Sequence, residues 1–123
     1  MTDILVVEDE ADLCDLIADE LECEGHRVTT ARNGEEALHC LATKSPKIIL
    51  CDINMPKLNG FQFRKAMMNQ FPHFREVPFI YVSAYSEQED IADGLITGAD
   101  HYVTKPIDFD ELKGIVRDSS VSK

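Results

Sequence analysis

Basic residues are scarce in this chain. Lys and Arg together number 12 against 23 Asp and Glu, so the formal net charge of the 123 residues is −11. Binding to the phosphate backbone of nucleic acids depends on a basic face, which a chain of this balance cannot easily assemble. We therefore expect no direct nucleic-acid binding, and the acidic charge fits either simple solubility or a partner with a basic surface.

Long hydrophobic runs are also absent. No stretch approaches the roughly 20 apolar residues of a membrane-spanning helix, and the N-terminus lacks the basic segment, apolar segment and cleavage site of a secretory leader. The cysteines form no C-x-x-C pair, which favours reduced packing cysteines over disulfides or a zinc site. We expect a cytoplasmic protein without membrane attachment, and the four cysteines concerned are Cys14, Cys23, Cys40 and Cys51.

Short apolar runs alternate with helical patterns along the chain. The first run is too apolar for a half-exposed sheet, and Leu13, Ile17 and Leu21 then have the spacing of an amphipathic helix. Five such strand-helix units predict one α/β domain, a parallel sheet with helices on both faces. The predicted strands cover residues 3–8, 27–31, 47–52, 77–83 and 101–104, and the predicted helices about 10–23, 35–43, 60–70, 86–96 and 108–117.

The remaining segments are predicted to be irregular. Phe71 to Pro78 is a loop bounded by prolines, somewhat long for an α/β connection. Asp118 to Lys123 is small and polar and is expected to fray. We therefore assign residues 1–117 to a single domain and residues 118–123 to a polar C-terminal tail or the start of a linker.

Four of the predicted strands end on residues that can handle phosphate or metal. In open parallel sheets, ligands bind outside the carboxyl ends of the strands, where the strand order reverses. The polar residues at these ends should therefore gather at one edge of the sheet. They are Glu8 and Asp9, Asp52, Ser83, and Lys105 followed by Pro106.

The acidic members of this set need a counter-charge. If the first and third strands are neighbours, Asp9 and Asp52 lie about 5 Å apart, and their repulsion is about 3 kcal/mol at an effective dielectric constant near 20, with Glu8 adding to it. A hard divalent cation with oxygen ligands, physiologically Mg²⁺, would cancel it. Lys105 and Ser83 would then face a phosphorus species near Asp52, which predicts phosphoryl transfer to Asp52 as the nucleophile.

Each of these residues also has an ordinary structural interpretation. Asp52 could form a turn, the Glu8-Asp9 pair could cap the helix that starts near residue 10, and Lys105 could be a solvated surface lysine. The combination, in this order and at these strand ends, favours the chemical interpretation.

The motifs around these residues resemble a known family. The segments VVEDE, CDINMPKLNGF, VSA and GADHYVTKP have the order and approximate spacing found in the receiver domain of two-component response regulators, and the resemblance covers residues 3–117. It implies a flavodoxin-like (βα)5 three-layer sandwich with strand order 2-1-3-4-5. It also implies a signalling module rather than an enzyme, one that assists its own phosphorylation and dephosphorylation.

The resemblance implies a role for each polar residue. Asp52 is the phosphoacceptor, charged by a phosphohistidine on a sensor histidine kinase or a histidine phosphotransfer protein. Mg²⁺ is bound directly by Asp9, Asp52 and the backbone carbonyl of Asn54, and Glu8 acts through a coordinated water. Lys105 pairs with the phosphoryl group.

The resemblance also implies a switch. Ser83 bonds a phosphoryl oxygen, Tyr102 is the aromatic residue that turns inward when Ser83 moves, and the Lys105-Pro106 peptide bond is cis. The face that changes is formed by the fourth helix, fifth strand and fifth helix (α4-β5-α5). This face would contact an output partner or an attached effector domain, or form a homodimer.

Two other interpretations compete with a receiver. A haloacid-dehalogenase-like phosphatase also uses an Asp nucleophile and Mg²⁺, but it needs a second Asp two residues later, where this chain has Asn54. A dinucleotide-binding domain would need a G-x-G-x-x-G motif after a strand, and none follows any strand here. An interaction domain that works without phosphorylation is left open, although the complete set of acidic, hydroxyl and lysine residues disfavours it.

Overall fold

The computed structural model describes residues 2–53, 55, 57–84 and 100–121, without the side chains of Ser83, Ala84, Ser120 and Val121. Asn54 and the helix predicted over residues 86–96 lie outside this range. The strands are β1 (Asp3–Val7), β2 (Arg27–Ala31), β3 (Ile48–Asp52), β4 (Phe79–Ala84) and β5 (His101–Lys105), and the α-helices are α1 (Ala11–Cys23), α2 (Gly34–Thr43), α3 (Gly60–Gln70) and a C-terminal helix (Phe109–Val121).

The five strands form one parallel sheet in the order β2-β1-β3-β4-β5. This order confirms the flavodoxin-like arrangement that the resemblance implies. In the centre of the sheet Val7 of β1 pairs with Cys51 of β3. The strand order reverses between β1 and β3, so the carboxyl ends of these two strands form the crevice where sheets of this type bind ligands.

The two faces of the sheet bury two separate core clusters. Along β1, Ile4 and Val6 pack with α1 and the C-terminal helix, whereas Leu5 and Val7 pack with α2 and α3. All five residues of β3 are buried. Burial on both faces explains why the central strands are continuous apolar runs rather than alternating ones.

Asparagine caps fix the starts of α2 and α3. The side chain of Asn33 accepts a hydrogen bond of 2.8 Å from the backbone N–H of Glu36. At α3, Asn59 and Gln62 form a reciprocal capping box, with two hydrogen bonds of 2.9 Å. These caps satisfy N–H groups that would otherwise lack partners in the first turn. They also define where the loop after β3 ends.

The predictions of irregular structure are wrong for two segments. The predicted loop after α3 contains a 3₁₀ helix, Pro72–Glu76, because Phe74 is buried in the core and the N–H of Val77 closes the turn on the carbonyl of Phe74. The C-terminal helix continues to Val121 instead of ending near residue 117. Its extension is anchored by the buried Ser119, so the frayed segment predicted from residue 118 is helical as far as Val121.

The other described elements begin and end within two residues of their predicted bounds. Across the described part of the chain, no helix combines the length and apolar character needed to cross a membrane.

Candidate functional site

The carboxyl ends of β1 and β3 bring three carboxylates together. Val7 pairs with Cys51, so Glu8 and Asp52 follow at the same level of two adjacent strands, and Asp9 comes next. Glu8, Asp9 and Asp52 each offer an oxygen, and these oxygens lie within 4.8 Å of one another. We call these three residues the acidic cluster. The structure thus places side by side the acidic residues that the sequence analysis placed at strand ends.

The members of the acidic cluster differ in exposure. Glu8 and Asp52 are buried, with relative exposures of 1% and 4%, whereas Asp9 is exposed. Glu8 also accepts a hydrogen bond of 3.2 Å from the backbone N–H of Glu10. Glu10 is the N-cap of α1 and makes no side-chain cap. The N-cap of α1 is therefore Glu10 rather than Glu8 or Asp9, and Glu8 contacts the helix start through this bond to the N–H of Glu10.

Lys105 approaches the cluster from the end of β5. Its Nζ lies 3.3 Å from Oδ2 of Asp52, with hydrogen-bond geometry, and forms an ion pair of 3.1 Å with Oε1 of Glu8. The Lys105-Pro106 peptide bond that follows is cis. The contact between Lys105 and Glu8 was not expected from the sequence, because β3 and β4 lie between β5 and β1 in the sheet.

The charges in the site do not balance. One ammonium group faces two buried carboxylates. Burial, and after it the charge of Glu8, raise the pKa of Asp52 to about 7, while Lys105 opposes this rise only in part. Burial is also the largest single effect on Lys105 and lowers its pKa, but Asp52 and Glu8 together outweigh it, and the net pKa is raised. The site has an excess of negative charge that a cation would relieve.

The donor set of the acidic cluster fits a hard divalent cation. Carboxylate oxygens are the ligands that Mg²⁺ prefers, and Mg²⁺ commonly keeps several water ligands as well. Three oxygens within 4.8 Å, two of them on buried side chains, are compatible with such an ion. The fourth predicted ligand, the carbonyl of Asn54, lies outside the described residues.

The backbone after Asp52 is held by a close contact with α3. The N–H of Gly60 donates a hydrogen bond of 2.9 Å to the carbonyl of Ile53. A Cβ at Gly60 would lie 2.7 Å from the carbonyl oxygen of Asp52, which is closer than real Cβ contacts allow. Only glycine therefore permits this packing. Sequence reasoning placed Gly60 at a helix start and missed this contact.

The two residues predicted to form the switch lie on neighbouring strands, β4 and the edge strand β5. Ser83 of β4 pairs with Thr104 of β5, and the structure describes only the backbone of Ser83. Tyr102 is half-buried, its hydroxyl oxygen is buried, and its ring centroid lies 6.1 Å from that of Tyr81 on β4. Tyr81 also packs edge-on against Phe61 of α3, at 5.1 Å. Sequence reasoning missed Tyr81, whose only signal was an aromatic residue inside a buried strand.

The chain is similar to known proteins over most of its length. A model of the family described as the response regulator receiver domain matches residues 4–117. The response regulator SaeR of Staphylococcus aureus is 39% identical over 112 residues, which are 91% of this chain and 47% of SaeR. This chain thus spans about half the length of SaeR.

Two further proteins match over nearly the whole chain. An uncharacterised 14.6 kDa protein of Leptolyngbya boryana is 39% identical over 115 residues, which are 94% of this chain and 87% of that protein. Among solved structures, the receiver domain of Francisella response regulator 1452 superposes with a TM-score of 0.88 at 31% identity, and the match covers 100% of both chains.

Proposed function

The chain belongs to the response regulator receiver domain family, and on that premise we propose that it accepts a phosphoryl group on Asp52 from a phosphohistidine donor. One observation carries the proposal. The buried carboxylate of Asp52 lies 3.3 Å from Nζ of Lys105, and its oxygen is within 4.8 Å of oxygens from Glu8 and Asp9. An acidic nucleophile beside a fixed ammonium group is the arrangement that phosphoryl transfer to a carboxylate requires.

In the proposed transfer, an oxygen of Asp52 attacks the phosphorus of the phosphohistidine. The new O–P bond forms as the P–N bond breaks, and the electron pair of the broken bond returns to the imidazole nitrogen. The attack requires the ionised carboxylate. Because the pKa of Asp52 is raised to about 7, a cation beside the carboxylate would increase the ionised fraction at neutral pH.

Lys105 is proposed to hold the phosphoryl group after transfer. Its ammonium group already lies within 3.3 Å of both buried carboxylates. It needs little reorganisation to meet a phosphoryl oxygen on Asp52, and a charge that is fixed before the reaction stabilises the transition state most effectively. The hydroxyl of Ser83 is proposed as a second, neutral donor to the phosphoryl group.

The proposed cofactor is Mg²⁺. Asp9 and Asp52 would bind it directly, together with the carbonyl of Asn54, and Glu8, which pairs with Lys105, would act through a water. The bound ion would offset the negative charge of the carboxylates and of the incoming phosphoryl group.

The proposed output is a change on the face that carries β5 and the C-terminal helix. Ser83 would move toward the phosphoryl oxygen, and Tyr102 would occupy the space it leaves. Phosphorylation can shift the equilibrium toward this state only by the difference between the interaction free energies of the phosphoryl group with the two states. The proposed partners are a sensor histidine kinase or a histidine phosphotransfer protein as donor, and an output partner, an attached effector domain or a second copy at the switching face.

The proposal is tested by mass spectrometry after incubation with Mg²⁺ and acetyl phosphate. The wild-type protein should gain one phosphoryl group, and Asp52→Asn should gain none. Asp15→Asn, a change at an exposed position of α1, is the matched control and should be phosphorylated like the wild type. A wild-type protein that stays unmodified, also with a phosphorylated histidine phosphotransfer protein as donor, would overturn the proposal.

A further inference from the structure

The loop after β3 packs directly against the start of α2. Gly34, the first residue of α2, is buried there. A Cβ built at Gly34 would lie 2.6 Å from the Cβ of Leu58, 3.0 Å from its Cδ2 and 3.0 Å from its carbonyl oxygen. A contact of 2.6 Å essentially never occurs at a real Cβ atom, so a side chain at position 34 would force something to move.

The loop would move rather than the helix. The start of α2 is held by the Asn33 cap and by Ala37, which is fully buried in the core. Of the three Leu58 atoms that a Cβ would meet, Cδ2 can swing away, but the Cβ and the carbonyl oxygen cannot. Any substitution at Gly34 would therefore displace the backbone at Leu58.

A displacement at Leu58 would reach the phosphoacceptor through two residues. Asn59 follows Leu58 and caps α3, and Gly60 comes next. The N–H of Gly60 is bonded to the carbonyl of Ile53 at 2.9 Å, and Gly60 is packed against the carbonyl of Asp52 with no space for a Cβ. The C-terminal end of the loop is thus in close contact on two sides, with α2 through Leu58 and with the backbone of Asp52 through Gly60.

We propose that Gly34 is a positioning residue of the phosphorylation site: by letting Leu58 lie against α2, it sets the position of the Asp52 carboxylate toward a divalent cation. The inference rests on the proposed function, because it names a residue outside the acidic cluster that acts on the same site. Loss of groups that hydrogen-bond directly to metal ligands costs about tenfold or more in metal affinity, and we expect the low end of this range because Gly34 acts through Leu58 and Gly60.

The experiment measures Mg²⁺ affinity and amide chemical shifts by NMR. Gly34→Ala should bind Mg²⁺ about tenfold more weakly than the wild type. Without Mg²⁺, its amide resonances at Leu58, Gly60 and Asp52 should already be displaced. In the double variant Gly34→Ala/Leu58→Gly the clashing Cβ of Leu58 is absent, so its affinity should equal that of Leu58→Gly alone. Gly114→Ala is the matched control, because a Cβ at Gly114 meets nothing within 4 Å, and its affinity should equal that of the wild type.

The outcomes separate this inference from the proposed function. If the wild type binds no Mg²⁺ and is not phosphorylated, the proposed function fails. If the wild type binds Mg²⁺ and Gly34→Ala binds it equally well, the positioning role is overturned. If Gly34→Ala does not fold, Leu58→Gly alone decides: a weaker affinity than that of the wild type supports the role, and an unchanged affinity overturns it.

Discussion

Two sets of ion pairs in this molecule use the same groups in different surroundings. At the carboxyl edge of the sheet, Lys105 pairs with Glu8 and Asp52. Between α1 and the C-terminal helix, Lys113 pairs with Glu20 at 2.9 Å and Arg117 with Glu24 at 3.2 Å. We call the second set the helix bridges.

The two lysines are almost equally covered, and the carboxylates are not. The side chain of Lys105 is 23% exposed and that of Lys113 is 21% exposed. Among the carboxylates, the side chains of Glu8 and Asp52 are 2% and 6% exposed, against 33% for that of Glu20. Exposed pairs contribute little to stability because water solvates both partners. Buried carboxylates depend on their partner, so the difference in carboxylate burial separates a reactive site from a surface contact.

The largest expected effect is the pH dependence that Asp52 brings. In the metal-free protein its pKa is raised from 3.8 to about 7, so the folded state holds a proton that the unfolded state has lost. The contribution of Asp52 to the free energy of unfolding is therefore fully present below about pH 4 and is lost as the pH rises to about 7. The free energy of unfolding falls by at most about 1.4 kcal/mol per pH unit over this range. Urea unfolding in EDTA across this range should show the decline.

Asp52→Asn isolates this contribution. The variant should lack most of the decline between pH 4 and 7, and Asp15→Asn should retain it. Identical pH profiles for the wild type and Asp52→Asn would mean that folding does not raise the pKa of Asp52. They would contradict the contrast between this buried carboxylate and the helix bridges.

The next effect is the loss of the ammonium group. Lys105→Met leaves two buried carboxylates without their cation and should lower the free energy of unfolding by about 3 kcal/mol in EDTA at pH 8. Lys113→Met is the matched control, because its lysine is equally covered but pairs with a carboxylate that water reaches, and its stability should change far less. Equal losses in the two variants would contradict the comparison.

Adding the cation should have a smaller effect. At pH 8 and a concentration ten times its dissociation constant, Mg²⁺ should raise the free energy of unfolding by about 1.4 kcal/mol. The same ion should leave Asp52→Asn nearly unchanged because one ligand carboxylate is lost. Equal stabilisation of both proteins would place the ion elsewhere on this acidic chain.

The smallest effect is expected at the helix bridges. Glu20→Gln with Glu24→Gln removes both bridges, and the urea midpoint should shift only slightly, by less at high salt than at low salt because exposed pairs are screened. A large shift that does not depend on salt would show that these bridges behave like the buried pairs of Lys105.

Much of the fold could be predicted because it follows from local patterns. The apolar run of β3 and the helical spacing of Leu13, Ile17 and Leu21 depend on neighbouring residues alone, and five alternating units leave few topologies. The sheet order then confirmed the resemblance. The wrong predictions concern segments that distant contacts organise, such as the 3₁₀ helix anchored by the buried Phe74.

The contacts of the candidate site likewise divide into those that the sequence predicted and those that only the structure shows. Glu8, Asp9 and Asp52 were predicted to meet because the ends of neighbouring parallel strands meet. Lys105 was predicted to face the site, but its ion pair with Glu8 was not, because strand ends alone do not say which carboxylate the lysine reaches. The Asn-Gly pairs at Asn33-Gly34 and Asn59-Gly60 contain a partial signal: each Asn caps a helix, and each Gly leaves room for the loop after β3.

The sequence by itself determined which residue types stand at the strand ends, because hydrophobic periodicity sets where each strand stops and which polar residue follows. Only the tertiary structure decided how those residues act on one another. The burial of Asp52, its pKa of about 7 and the contact of Leu58 with Gly34 depend on distances between elements that lie far apart in the chain. The physical reason is that desolvation and electrostatic interaction depend on position in space, whereas sequence patterns report only on near neighbours.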